Sequence, residues 1–199
     1  IENEYILKIQ NDVGGADAEI DADDAILTPG FVDSHTHPVF STNRTKEYKM
    51  RVSGKTYEQI ASAGGGINSS IQGVRNTNED QLFEECIDRI NYFLIHGTTT
   101  IEAKSGYGLT LDDEIKSLRV IKRLNENCQL TIIPTFMGAH AIPPEYKSNP
   151  DSYVEAICND IIPAIKKQGI AIFNDVFCEK GYFNEEQSIK ILNCGKNYG

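Results

Sequence analysis

LTPGFVDSHTHPV, residues 27–39, decides how this 199-residue chain reads. Pro29-Gly30 and Pro38 bracket a short apolar run, and near its end His35 and His37 stand two residues apart. Side chains at i and i+2 of a strand project from one face, so both imidazoles converge on one point, with Phe31 and Asp33 sharing that face. Imidazole is the commonest protein ligand for zinc and iron, and a strand end holds it well. A bare HxH is also what two ordinary surface histidines look like. Here half of the chain's four histidines fall in one tripeptide behind an apolar strand. That concentration favours a metal site.

Downstream of this stretch the pattern is strand, loop, helix, repeated. A short helix is expected over 56–63, before the flexible Gly64-Gly65-Gly66 loop. Residues 79–95 read as a helix capped by Asn78, with Leu82, Phe83, Cys86, Ile87, Ile90, Phe93 and Leu94 at helical spacing and Gly97 beyond the end. The β-branched run at 98–103 reads as a second strand. Thr110 caps a helix over 111–126, with Asp113 in a capping-box-like position. A strand over 130–137 then leads into Gly138-Ala139-His140. Asn149-Pro150 opens a helix that Gly169 closes, and Pro163 inside it predicts a kink or break. Residues 170–178 read as the fourth strand, and Asn184 caps a last helix running to about Lys196.

Upstream, the strand-like run at 5–9 suggests that residues 1–26 end a small β-structure, with the main domain over 27–199. Four βα units in succession imply a parallel sheet whose right-handed crossovers curl it as in a barrel. A complete (β/α)₈ barrel takes roughly 250 residues. The expectation is therefore an α/β fold, a partial (β/α)₈ barrel of about four units, truncated before the later strands.

The net charge of −10 argues against nonspecific nucleic-acid binding, which needs a basic surface. Five cysteines without a CxxC pair fit reduced thiols in a cytosolic protein. No apolar run approaches a membrane span and no signal peptide is visible. The chain opens at Ile1 without a methionine, so a start upstream is expected.

The chemistry-bearing residues fall at strand carboxyl ends, where barrel proteins build their sites. His35 and His37 follow strand one, the 104–108 loop (Lys-Ser-Gly-Tyr-Gly) follows strand two, and His140 follows strand three. That loop could bring backbone and the Tyr107 hydroxyl close to a ligand, or be a plain turn. Arg44 could fork onto a carboxylate, although a lone loop arginine is more often a solvated one. His140 could be a ligand, an acid or base, or a structural histidine. His96 reads as a helix C-terminal partner without a catalytic role.

Together these segments carry a resemblance. PGFVDSHTH is similar to the first metal-binding strand of the amidohydrolase superfamily. The HTHPVF core within 31–44, the Ala63–Ile67 loop, IEAKSGYGL at 101–109, LRVIKRLNE at 118–126, FMGAHAIPPEYK at 136–147 and DVFCEKGYF at 175–183 resemble the imidazolonepropionase family, across about residues 26–199. The resemblance implies a cytoplasmic hydrolase of histidine degradation that opens 4-imidazolone-5-propanoate to N-formimidoyl-L-glutamate with one bound zinc or iron ion. By the same resemblance, His35 and His37 are metal ligands. Arg44, Tyr107 and His140 contact the small-molecule substrate, His140 also acting in catalysis. Cys178 and Glu179, with Lys180 adjacent, stand where two-metal relatives have a bridging lysine, which favours one metal. The family's further metal histidine, metal aspartate and general-base glutamate belong to strands beyond Gly199. The chain is therefore expected to be inactive alone, and its open strand edges to drive self-association or a homo-oligomer. Two other classes fit less of the sequence: another cyclic-amide amidohydrolase or ring deaminase, and a non-catalytic metal-binding fragment.

Overall fold

Alternating apolar strands and amphipathic helices resolve into one parallel sheet in the computed structural model, which describes residues 5–9, 11, 14–56, 59, 60 and 63–199. Its strands are β1 (Phe31–Thr36), β2 (Thr98–Lys104), β3 (Thr131–Ala139) and β4 (Phe173–Val176), adjacent in chain order. Asp33 pairs with Ile101, Ile101 with Ile132, and Thr135 with Phe173. This is the expected half of a (β/α)₈ barrel.

The helices that follow the strands are α1 (Thr45–Val52), α2 (Ile67–Asn76), α3 (Glu79–Ile95), α4 (Leu111–Glu126), α5 (Pro150–Ala156), α6 (Ile162–Gln168) and α7 (Glu185–Tyr198). Local chemistry starts three of them as expected. Asn78 accepts from the Gln81 amide at 2.9 Å, Thr110 from Asp113 at 3.2 Å, and Asn184 forms a full capping box with Gln187. The buried stripes then meet the sheet. Leu82, Cys86 and Ile90 of α3 and Leu118, Ile121 and Leu124 of α4 are fully buried in one core with Ile101 and Ile132.

Pro163 acts as expected. The chain widens into a π turn at Ile157–Ile161 between α5 and α6, because proline lacks the N–H that would continue the ladder and its ring crowds the preceding turn. Gly169 closes α6 with a left-handed φ of 70°.

The structure departs from the sequence reading in two places, and two further readings are left untested. β4 is shorter than 170–178: Phe177 still donates to the Ala139 carbonyl, but Cys178 leaves the ladder to bridge Phe183. Helices α1 and α2 were not foreseen. α1 buries no side chain, and α2 is rich in poor helix formers, held by burial of Ser70, Ile71 and Val74. The helix expected over 56–63 falls partly outside the described residues. Of the run at 5–9, Tyr5 alone has a bridge pairing, and residues 1–4, 10, 12 and 13 lie outside the described residues.

Candidate active site

The end of β1 is fastened to β2 where Thr36 donates its hydroxyl to the Glu102 carbonyl at 2.6 Å. His35 sits on the strand, exposed, and His37 follows it, half-buried. Their rings come to 5.4 Å between centroids, so the i, i+2 spacing does bring them together. His140, one residue beyond β3, stacks on His37 at 4.4 Å with an 11° interplanar angle. Tyr107 packs on both, at 5.3 and 5.2 Å. The Arg44 guanidinium stands 6.0 Å from the Tyr107 centroid, the outer reach of a cation–π contact. All five residues singled out in the sequence thus form one cluster at the carboxyl ends of β1, β2 and β3.

Hydrogen bonds set the chemistry of the rings. His37 Nδ1 lies 3.2 Å from the Ser105 carbonyl and His140 Nδ1 lies 2.9 Å from the Gly106 carbonyl. A carbonyl oxygen only accepts, so each Nδ1 carries the proton and each Nε2 presents a lone pair. That is how metal-binding imidazoles are usually oriented. Gly106 is indispensable to this approach. Its φ is +106°, and a Cβ there would meet the Met137 carbonyl at 2.6 Å and His140 Cβ at 2.9 Å.

Burial lowers the His37 pKa to about 3; a charge on His140 or His35 would add to the effect, the Ser105 carbonyl opposes it, and Lys104 lowers it further. His140 is also lowered, first by burial, against the pull of the Gly106 carbonyl. Burial raises Tyr107, against the nearby Arg44. Both tethered imidazoles are therefore neutral at pH 7, the form that donates a lone pair to zinc or iron. The donor chemistry of His35 and His37 fits such an ion. Among the described residues, however, no group of three or more His, Cys, Asp or Glu side chains is placed to hold one.

The sign of the histidine shifts predicts a pH effect. Folded His37 and His140 resist protonation, while their unfolded counterparts take it up near pH 6.5. The unfolded state then binds more protons, so stability present above pH 6.5 is lost as pH falls below it. In the presence of a chelator, the thermal midpoint should drop between pH 7 and pH 5, before most carboxylates titrate. A flat midpoint over that window would contradict the buried, neutral assignment.

Arg44 is not the free surface arginine that its loop position suggested. It is solvent-exposed, but Nε and one terminal nitrogen donate to the buried Ser70 hydroxyl at 3.3 and 2.9 Å. His96 behaves as expected, its Nδ1 capping the Tyr92 carbonyl at 2.8 Å.

Two groups went unremarked in the sequence. Lys104 is buried and pairs with Glu102 at 2.6 Å and Asp175 at 2.8 Å, tying β2 to β4 across β3. Glu102 also accepts from Thr135 at 2.6 Å. Burial would lower the Lys104 pKa, yet the two carboxylates outweigh it and raise it. The signal was there to read: two charged residues at alternate positions of a strand otherwise made of Thr, Ile and Ala. The second is Glu114, wholly buried behind the 104–109 loop.

No protein-family model matches the chain. Curated relatives do. An imidazolonepropionase of Brevibacillus brevis is 49% identical over 180 residues, 90% of this chain and 42% of that protein. One of Photobacterium profundum is 46% identical over 193 residues, 97% of this chain and 47% of that protein. One of Geobacillus thermodenitrificans is 44% identical over 198 residues, 100% of this chain and 46% of that protein. The chain spans less than half the length of these relatives. Over the span it covers, from the HTH strand through the clustered Tyr107 and His140, the chain belongs to the imidazolonepropionase family.

Proposed function

We propose that this chain supplies part of a cytoplasmic hydrolase site that opens the ring of 4-imidazolone-5-propanoate to N-formimidoyl-L-glutamate in histidine degradation. The observation that carries it is the convergence of His35, His37, Tyr107, His140 and Arg44, with two Nδ1 atoms tethered and their Nε2 atoms free.

In the reaction, water adds to the ring carbonyl carbon and the carbonyl C–N bond breaks. That carbon leaves as a carboxylate, and the nitrogen stays with the formimidoyl group. His35 and His37 would hold one zinc or iron ion, which when bound supplies an activated water at neutral pH. Arg44 binds the propionate. Ser70 occupies the Nε side of its guanidinium, leaving donors at the terminal nitrogens for a carboxylate. The Tyr107 hydroxyl donates to the same substrate. His140, protonated at Nδ1, accepts a ring N–H through Nε2 and so fixes the ring's orientation. In this tautomer it orients the ring and does not donate to an oxyanion.

The test is turnover of imidazolonepropanoate by the protein that carries this chain, beside other cyclic amides and ring amines. Hydrolysis of another ring with none of this one would replace the reading. Within the same assay, Arg44→Ala should raise KM far more than it lowers kcat, because the propionate is held alike in ground and transition states. A charge-assisted hydrogen bond is worth about 1.5–3 kcal/mol, which corresponds to roughly 10- to 150-fold in KM. Arg44→Lys should recover part of it. Unchanged kinetics in Arg44→Ala would leave the arginine with Ser70 as its sole business.

A further inference from the structure

Glu114 stands on the first turn of α4 with no exposed surface. A carboxylate taken out of water is costly unless donors replace the solvent. Its Oε1 accepts from the Gly108 amide at 3.0 Å and the Leu109 amide at 2.9 Å. Leu109 has a left-handed φ of 58°, a conformation that side-chain-bearing residues adopt at a cost and keep only where the surroundings hold them. The gain is that neighbouring amides turn inward together, forming the kind of concavity that binds an anion. Here the Glu114 carboxyl fills it: burial raises its pKa, against hydrogen bonds that include the Leu109 and Gly108 amides, and its Oε2 has no partner among the described residues.

The remaining groups of the loop are tied as well. The Ser105 amide donates to the Thr135 carbonyl at 3.0 Å, and the Met137 amide donates to the Ser105 hydroxyl at 3.0 Å. Arg75 donates to the Gly108 carbonyl at 2.8 Å, and the Tyr153 hydroxyl faces the Leu109 carbonyl at 3.2 Å. Two consecutive carbonyls, those of Ser105 and Gly106, take the Nδ1 protons of His37 and His140. One short loop thus sets the tautomer of both rings, and the buried carboxyl is what holds its far end.

Resting on the reading of the site given above, we propose that Glu114 is a positioning residue: through residues 105–109 it keeps His37 and His140 protonated at Nδ1, with both Nε2 lone pairs turned to metal ion and substrate. It touches neither. Replacing it by methionine keeps the length but removes the oxygen that accepts from the Gly108 and Leu109 amides. The loop then relaxes and both carbonyls drift from the rings.

The experiment reads tautomers directly. The whole protein carrying this chain is labelled with ¹⁵N-histidine, stripped of metal with a chelator and examined at pH 7.5 by long-range ¹H–¹⁵N spectroscopy. His37→Gln and His140→Gln variants assign the signals. In the parent both rings should be Nδ1–H. In Glu114→Met the Nε2–H form should appear in both, and zinc affinity measured by equilibrium dialysis should fall roughly 10- to 100-fold, as for loss of a ligand-orienting partner. Ser117→Ala, which removes a buried hydroxyl bonded within the same helix, should change neither readout. An Nε2–H ring in the parent, or two unchanged Nδ1–H rings in Glu114→Met, would overturn the proposal. If Glu114→Met fails to fold, Glu114→Asp, which keeps a carboxyl but withdraws it by one methylene, is judged by the same criterion. Tautomers need no turnover. A parent with both rings Nδ1–H but inactive on imidazolonepropanoate would sink the functional reading and leave this one standing.

Discussion

Replacing His35 or His37 by alanine in the protein that carries this chain is expected to remove bound metal and turnover together. Catalytic zinc sites have about three protein ligands and one open position, so losing one imidazole takes away both affinity and defined geometry. The two variants should differ in their secondary effects. His35 is exposed, and its removal disturbs little else. His37 is stacked between neighbours and bonded to Ser105, so its loss also leaves that carbonyl and the His140 face without a partner. Metal analysis by atomic emission, alongside steady-state kinetics, checks the pair. Full metal occupancy in both variants would end the ligand assignment.

Residues 1–199 expressed alone are expected to show no imidazolonepropanoate hydrolysis above background and to self-associate. The two imidazoles have no third ligand within reach among the described residues, so no defined open position exists for water. The sheet gives the second half of the expectation. β1 and β4 each pair on one side within it, and large apolar side chains stand open beside those edges. Phe31 and Val32 are 64% and 69% exposed, Ile172 and Phe173 60% and 56%. Unpaired strand edges next to apolar surface are a template for another chain. Sedimentation velocity and an assay with added zinc or iron would settle both points. A monodisperse monomer that turns over substrate contradicts them.

Much of the fold was legible because its determinants are local. The caps at Asn78, Thr110 and Asn184 each act within three residues of themselves, and all three helices begin where those residues predict. Pro163 and Gly169 likewise act on their own turn. Helix α1 escaped because it has no apolar stripe, and α2 because poor helix formers surround its buried stripe of Ser70, Ile71 and Val74. The end of β4 was missed for a similar reason, since its departure at Cys178 depends on Phe183 and on an irregular register with β3.

For the site the division is similar. The i, i+2 spacing of His35 and His37 and the strand-end positions of Tyr107 and His140 are properties of the chain itself and marked them as candidates, whereas Arg44 and the substrate roles of Tyr107 and His140 came from the resemblance to the family. What each member does chemically was decided by tertiary structure. Parallel pairing of β1, β2 and β3 brings residue 37 to 105 and residue 140 to 106, across separations of 68 and 34 positions. Only that contact protonates Nδ1 and frees Nε2. The same pairing carries Lys104 to Asp175 across β3, and the turn of the loop onto α4 buries Glu114 against the Gly108 and Leu109 amides. Sequence periodicity reports which face a side chain takes, because that follows from the dihedral angles of a few neighbouring residues. Tautomers, ion pairs and buried polar groups follow from partners brought together by the parallel sheet ladder, and those exist only once the strands have met.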